Sequence, residues 1–183
     1  GHKIHALKGS GVLAMKKHVQ IEPFIVGGGQ EFGMRSGTVA VPQAVAFAKA
    51  ARMAVEQMPA HTKTYSAWKQ QLFQYFESLD DAVNVISPAD GAPHIVSVGV
   101  QGLKGEILIN ALQKEGIIVS TSSACSSRQT KTSHVMEAIK VPQQYKDGVI
   151  RISFGANNTE ADIQKFKQVF THVMHQLKGE FVR

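Results

Sequence analysis

The stretch Gly27-Gly28-Gly29-Gln30-Glu31-Phe32-Gly33-Met34-Arg35-Ser36-Gly37-Thr38 carries five glycines in twelve residues. Such a segment reads as a loop whose backbone can take positive φ and approach a ligand closely. The Ser36 and Thr38 hydroxyls, the Arg35 guanidinium and free N–H groups just ahead of a helix start describe an anion cradle, with an ordinary turn as the equal alternative. Upstream, residues 4–26 read as two short strands, 11–15 and 19–25, joined by the basic turn Lys16-Lys17-His18. Downstream, the Ala-rich segment 41–58 predicts a helix, with Pro42 in its first turn and Pro59 ending it.

Beyond Pro59 the pattern changes to alternating helices and strands. Tyr65, Trp68, Leu72, Phe76 and Leu79 recur at helical spacing and predict a second helix over 61–80, its aromatic stripe packed in a core. Strands are expected at 83–86 and 94–100, a helix at 105–114 capped by Gly116, and a short strand at 117–120. A short helix over 133–139 and a strand over 149–154 follow. The last helix opens at Asn158 or Thr159 and sets Ile163, Phe166, Phe170, Val173, Met174 and Leu177 on one face.

A chain of 183 residues, 43% hydrophobic and 19% charged, has ordinary globular composition. Its net charge of +6 is spread along the chain, with no basic block interleaved with aromatics, which argues against nucleic-acid binding. No run has the length of a membrane span or a signal-peptide core, so no membrane partner and a cytoplasmic location are expected. The eight histidines form no ligand-spaced cluster, so no metal site is expected.

The single cysteine, Cys125, lies in Val119-Ser120-Thr121-Ser122-Ser123-Ala124-Cys125-Ser126-Ser127. Small hydroxyl residues leave a sulfur accessible, whereas a structural cysteine is usually packed among branched aliphatics. Lys3, after His2 and ahead of a small-residue turn, is either a covalent amine or a surface lysine. Arg151 alternates with Ile150 and Ile152, which puts its guanidinium on the face opposite the aliphatics, either exposed or gripping a carboxylate.

Taken in order, Gly1-His2-Lys3, Lys8-Gly9-x-Gly11, the Gly27–Thr38 loop with its Arg-Ser-Gly-Thr ending, Ser123-Ala124-Cys125 and Arg151-Ile-Ser-x-Gly155 resemble the C-terminal half of a pyridoxal-phosphate cysteine desulfurase, within the class V aminotransferase-like enzymes. The resemblance covers essentially the whole chain. It implies an α/β fold, a fragment of the fold type I PLP-dependent transferases. Residues 1–57 would be a remnant of the large cofactor-binding domain, and residues 58–183 a small α+β C-terminal domain carrying the cysteine loop. It implies that Lys3 forms a Schiff base with pyridoxal phosphate, that His2 helps to bind its phosphate, and that Thr38 reaches the phosphate of the other subunit in a homodimer. Arg151 would grip the carboxylate of L-cysteine. Cys125 would take the substrate's sulfur as a persulfide, leaving L-alanine, and pass it to an acceptor such as an iron-sulfur scaffold or a tRNA-thiolation enzyme.

Ala6-Leu7 and Phe32 depart from the resembled pattern, which commonly has Gly-Pro and Arg at those places. The chain opens at Gly1-His2-Lys3, directly on a dense motif, and reads as cut from something longer. The first half of the resembled enzymes supplies the Asp facing the pyridine nitrogen and the His stacked on the ring, so this chain alone is expected to be inactive. The alternatives are an interaction module without chemistry and another class V PLP aminotransferase, for which Cys125 would be dispensable.

Overall fold

The computed structural model describes residues 1–121 and 134–181, which divide into two compact units, Gly1–Pro59 and Ala60–Arg183. Both expectations for the chain around the first unit are corrected. No strand forms among residues 1–59, and only Ser36 there is buried, although apolar side chains such as Leu13, Phe24 and Val26 are present. A lone strand leaves its N–H and C=O groups without a ladder, and residues 4–26 find no partner strand within this unit.

Pro59 does not end a helix either: one helix, α1, runs Val41–Glu77 through it. Proline removes its own N–H, so the carbonyl that loses its bond is that of Val55, a residue 64% exposed whose carbonyl water can reach. The roughly 3 kcal/mol cost of an interior proline is offset downstream, where α1 buries Trp68, Leu72 and Phe76.

The second unit is built on an antiparallel sheet of four strands in the order β1-β2-β4-β3, with β1 Val83–Val85, β2 Ile95–Val100, β3 Ser120–Thr121 and β4 Val149–Ser153. Alternation along β2 and β4 turns Val96, Val98, Val100, Ile150 and Ile152 to one face. There they meet α1, α2 (Gly105–Lys114) and α5 (Glu160–Phe181) in one core. The six α5 residues expected on one face are all buried. The helix also opens as expected, since Thr159 N–H donates to Asp162 Oδ2 at 2.8 Å, one half of a capping box. The strand foreseen over 117–120 shrinks to β3, because Ile117 N–H closes α2 onto Leu112 O beyond Gly116 at φ 78°.

The opposite face of the sheet carries a smaller cluster. Met136 from α3 (His134–Ala138), Val141, and Tyr145 from the unforeseen α4 (Gln143–Lys146) pack with Val149 and Ile86. Gly99 permits this, since a Cβ there would lie 2.6 Å from that of Tyr145.

Two polar contacts fasten α1 to this body. Lys69 is 4% exposed, and its ammonium donates to the carbonyls of Pro88 (2.7 Å), Gly91 (3.0 Å) and Ala92 (3.5 Å). It thereby holds the turn between β1 and β2. Glu160, at the start of α5, accepts from Trp68 Nε1 at 2.9 Å, Gln71 Nε2 at 3.2 Å and Gln164 Nε2 at 2.9 Å. The amide of Gln164, then that of Gln71, hold its carboxyl below the ordinary carboxylate pKa.

Replacing Lys69 with Met leaves those carbonyls short of a buried donor, and chemical denaturation should show a loss of about 1–3 kcal/mol. A depressed folded pKa contributes stability above the unfolded value of about 4.3 and loses it as pH falls through the lower folded value. Glu160→Gln should therefore flatten the acid limb of the stability profile; an unchanged limb would mean that the Gln164 and Gln71 contacts carry no linked proton.

Candidate functional site

The Gly27–Thr38 loop is held by its own polar groups. Ser36 N–H donates to Ile25 O at 3.1 Å, Ser36 Oγ donates to Gly28 O at 2.6 Å, and Gly37 N–H donates to Gln30 Oε1 at 3.1 Å. Ser36, a hydroxyl considered for the anion cradle, is thus a buried tie within the loop. Arg35 Nη1 likewise donates to Ser36 O at 3.2 Å. Thr38 is exposed and its hydroxyl makes no hydrogen bond among the described residues. The loop's apex is strained: Glu31 and Phe32 have φ of 50° and 58°, and the Phe32 side chain is 95% exposed.

His2 and Lys3 are consecutive in a single 3-10 turn, His2–Ile4, and both are exposed. No hydrogen bond joins either of them to Thr38 among the described residues. Arg151 lies in the other unit, on β4, and Cys125 falls outside the described residues.

Around Arg151 the sheet is polar. Register places Ser97 of β2 directly opposite it on one side and Ser120 of β3 directly opposite on the other, so the three share one face. Among the described residues, Arg151 Nε is buried and has no hydrogen-bond partner, and no carboxylate pairs with the guanidinium. Buried polar atoms are nearly always satisfied, and a guanidinium donates in a fixed fork that matches a carboxylate. Sequence alternation found the face of Arg151, but Ser97 and Ser120 became visible only with the strand register.

A cleft of about 270 Å³ also opens against β4, lined among others by Leu72, Ile152, Phe154, Ile163 and Phe166. Asp162 is its one charged lining residue, and Arg151 is not among the residues that line it. It therefore suits neither a phosphate nor a carboxylate.

Pyridoxal phosphate, the cofactor implied by the resemblance, needs a primary amine for its aldehyde and donors for its phosphate. The exposed Lys3 amine, the His2 imidazole beside it and the unspent Thr38 hydroxyl are a donor set of that chemistry.

Residues 1–166 match the aminotransferase class-V family. The chain belongs to that family. Among curated relatives, it is 34% identical over 177 residues to a NifS/IcsS protein homolog of Lactobacillus delbrueckii subsp. bulgaricus, covering 93% of this chain and 46% of that protein. It is 35% identical to the cysteine desulfurase IscS of Clostridium botulinum, covering 96% of this chain and 45% of that one. A solved NifS-like protein superposes with a TM-score of 0.83 at 34% identity, over 95% of this chain and 44% of the other. A NifS-like protein from Rickettsia africae shares the fold, with a TM-score of 0.73 at 23% identity over 86% of this chain and 41% of the other. The class-V chain thus spans somewhat under half the length of these relatives, and its mixed helix and sheet is the fold of NifS-like proteins.

Replacing Phe32 with Gly removes a left-handed residue with a Cβ, and should stabilise the first unit's loop by about 1 kcal/mol. Slower amide exchange at Gly33 and Ser36 would report it; faster exchange would show that the Phe32 side chain, despite its exposure, orders the loop.

Proposed function

We propose that the protein containing this chain is a cysteine desulfurase, which converts L-cysteine to L-alanine and carries the sulfur as a persulfide on Cys125. The observation that carries this reading is Arg151, a guanidinium with a buried, unspent Nε on the polar face of β4. The names of the relatives, cysteine desulfurases and NifS homologues, point the same way.

In this reading Arg151 binds the substrate's carboxylate through its fork and so fixes the orientation of the amino acid. Lys3 provides the amine that attaches pyridoxal phosphate, while His2 and Thr38 contribute to holding its phosphate, Thr38 across a homodimer. When bound, that cofactor supplies the electron sink for bond changes at the substrate's Cα and Cβ. The Cys125 thiolate attacks the substrate sulfur, an S–S bond forming as the substrate's C–S bond breaks. Ser120, directly opposite Arg151, precedes Cys125 by five residues, a tether of at most about 18 Å of extended chain. The covalent chain therefore keeps Cys125 within that reach of Ser120. Cationic surroundings there would favour the thiolate.

The persulfide is then passed to an acceptor protein, an iron-sulfur scaffold or a thiolation enzyme. A cytoplasmic setting, with its reducing pool, suits a free thiol of this kind. No helix among the described residues is long and apolar enough to cross a membrane. On this reading residues 1–57 are a portion of the large cofactor domain and residues 58–183 the small domain, and the 183-residue chain alone turns over little or no cysteine.

The test is sulfide release from L-cysteine with a reductant present, using the whole protein that contains this chain, loaded with pyridoxal phosphate. Cys125→Ala should abolish release. Arg151→Lys, which loses the fork, should raise KM on the order of 10- to 100-fold, the equivalent of about 1.5–3 kcal/mol for hydrogen bonds to a charged group. Release that survives in Cys125→Ala at the wild-type rate would sink the proposal.

A further inference from the structure

Arg151 has five N–H donors, and a carboxylate gripped by two of them leaves the remainder to the protein. The nearest side chains on its face are fixed by register: Ser97 on one flank and Ser120 on the other, each with its Cβ about 5 Å from that of Arg151. Among the described residues, neither serine hydroxyl makes a hydrogen bond. Arg151 Nε, itself buried, also has none. Three polar groups thus lie in one row across the sheet, none with a hydrogen-bond partner among the described residues, and for the buried Arg151 Nε that lack is costly.

The two flanks differ in how firmly they are held. Ser97 sits in the six-residue β2, between β1 and β4. Its N–H donates to Ser87 Oγ at 2.8 Å, and its carbonyl accepts from both Ile86 N–H (2.9 Å) and Ser87 N–H (3.2 Å). The turn beyond Ser87 is in turn anchored by Lys69 through the Pro88, Gly91 and Ala92 carbonyls. Ser120 belongs to the two-residue edge strand β3. A serine hydroxyl is swung by rotation about a single bond, which needs no movement of the backbone that carries it.

We infer that Ser97 is a positioning residue for Arg151: its Oγ accepts the Nε–H when an anion is bound, aiming the Nη edge of the guanidinium at the carboxylate. This rests on the proposed function, in which that anion is the carboxylate of an amino acid. The restraint matters because arginine's long stem carries much rotamer freedom, which a single lateral hydrogen bond removes at the point where direction counts.

The test uses the pyridoxal-phosphate-loaded protein labelled with ¹⁵N-arginine, with L-alanine as an unreactive amino-acid probe. The Arg151 Nε–H signal is assigned by its disappearance in Arg151→Lys. In the wild type, L-alanine should slow exchange of that Nε–H with water about tenfold. Ser97→Ala should abolish the protection and raise KM for L-cysteine about tenfold, with kcat changed far less, and Ser97→Thr, which restores the hydroxyl, should recover both. Protection retained in Ser97→Ala, or lost in Ser120→Ala instead, overturns the role of Ser97 while leaving Arg151 as the carboxylate site. A wild-type Nε–H that ignores L-alanine overturns the carboxylate reading itself, and Ser97's role with it.

Discussion

Ile150 and Ile152 are committed to the core, and everything said of Arg151 depends on that commitment. A strand's side chains alternate, so two isoleucines sealed against Val96 and Val98 leave the intervening guanidinium only the opposite face. Burying two such side chains is worth about 1.5–3 kcal/mol each. A one-residue register slip would forfeit both contributions and bury a charge in their place. The direction of Arg151 is thus enforced by apolar packing on the far side of the sheet, and the polar face is free to be shaped for chemistry. The same face receives Tyr145 and Met136 farther along.

How much of this was legible in the sequence follows from the range of the interactions involved. The face of α5 was readable because six apolar residues at helical spacing can only be buried together. So was the direction of Arg151, from strict alternation with isoleucines. The opening of α5 at Asn158 or Thr159 was readable too, and Asp162, three residues on, accepts from the Thr159 N–H. What failed needed a partner far along the chain. Residues 4–26 have strand-like composition, but a strand exists only with a neighbour, and no ladder forms there. Pro59 is locally a helix breaker, yet burial of Trp68, Leu72 and Phe76 farther along outweighs a bond lost at an exposed carbonyl.

For the candidate site the same division holds. Lys3, Thr38 and Arg151 stood out by type and by the motifs around them, and the match of residues 1–166 to the class-V aminotransferases agrees with the family that those motifs resemble. Ser97 did not stand out, because a serine in a strand is unremarkable until register sets it against an unpaired guanidinium. Ser36 misled in the opposite sense, since a hydroxyl beside an arginine in a glycine-rich loop looks available for an anion. It is instead the tie that closes the loop onto Gly28. The burial of Lys69 under three carbonyls is likewise a property of the turn it meets, 19 to 23 residues along the chain.

The central claim is that one chain supplies both the carboxylate grip and the sulfur acceptor of a desulfurase. Its most direct test follows the sulfur. The whole protein that contains this chain, loaded with pyridoxal phosphate, is incubated with L-cysteine labelled with ³⁵S, without reductant, and digested for peptide mapping. The account predicts label on the peptide containing Cys125, removed by a thiol reductant and sharply reduced in Arg151→Ala. Label absent from that peptide, or equally abundant without Arg151, would contradict it.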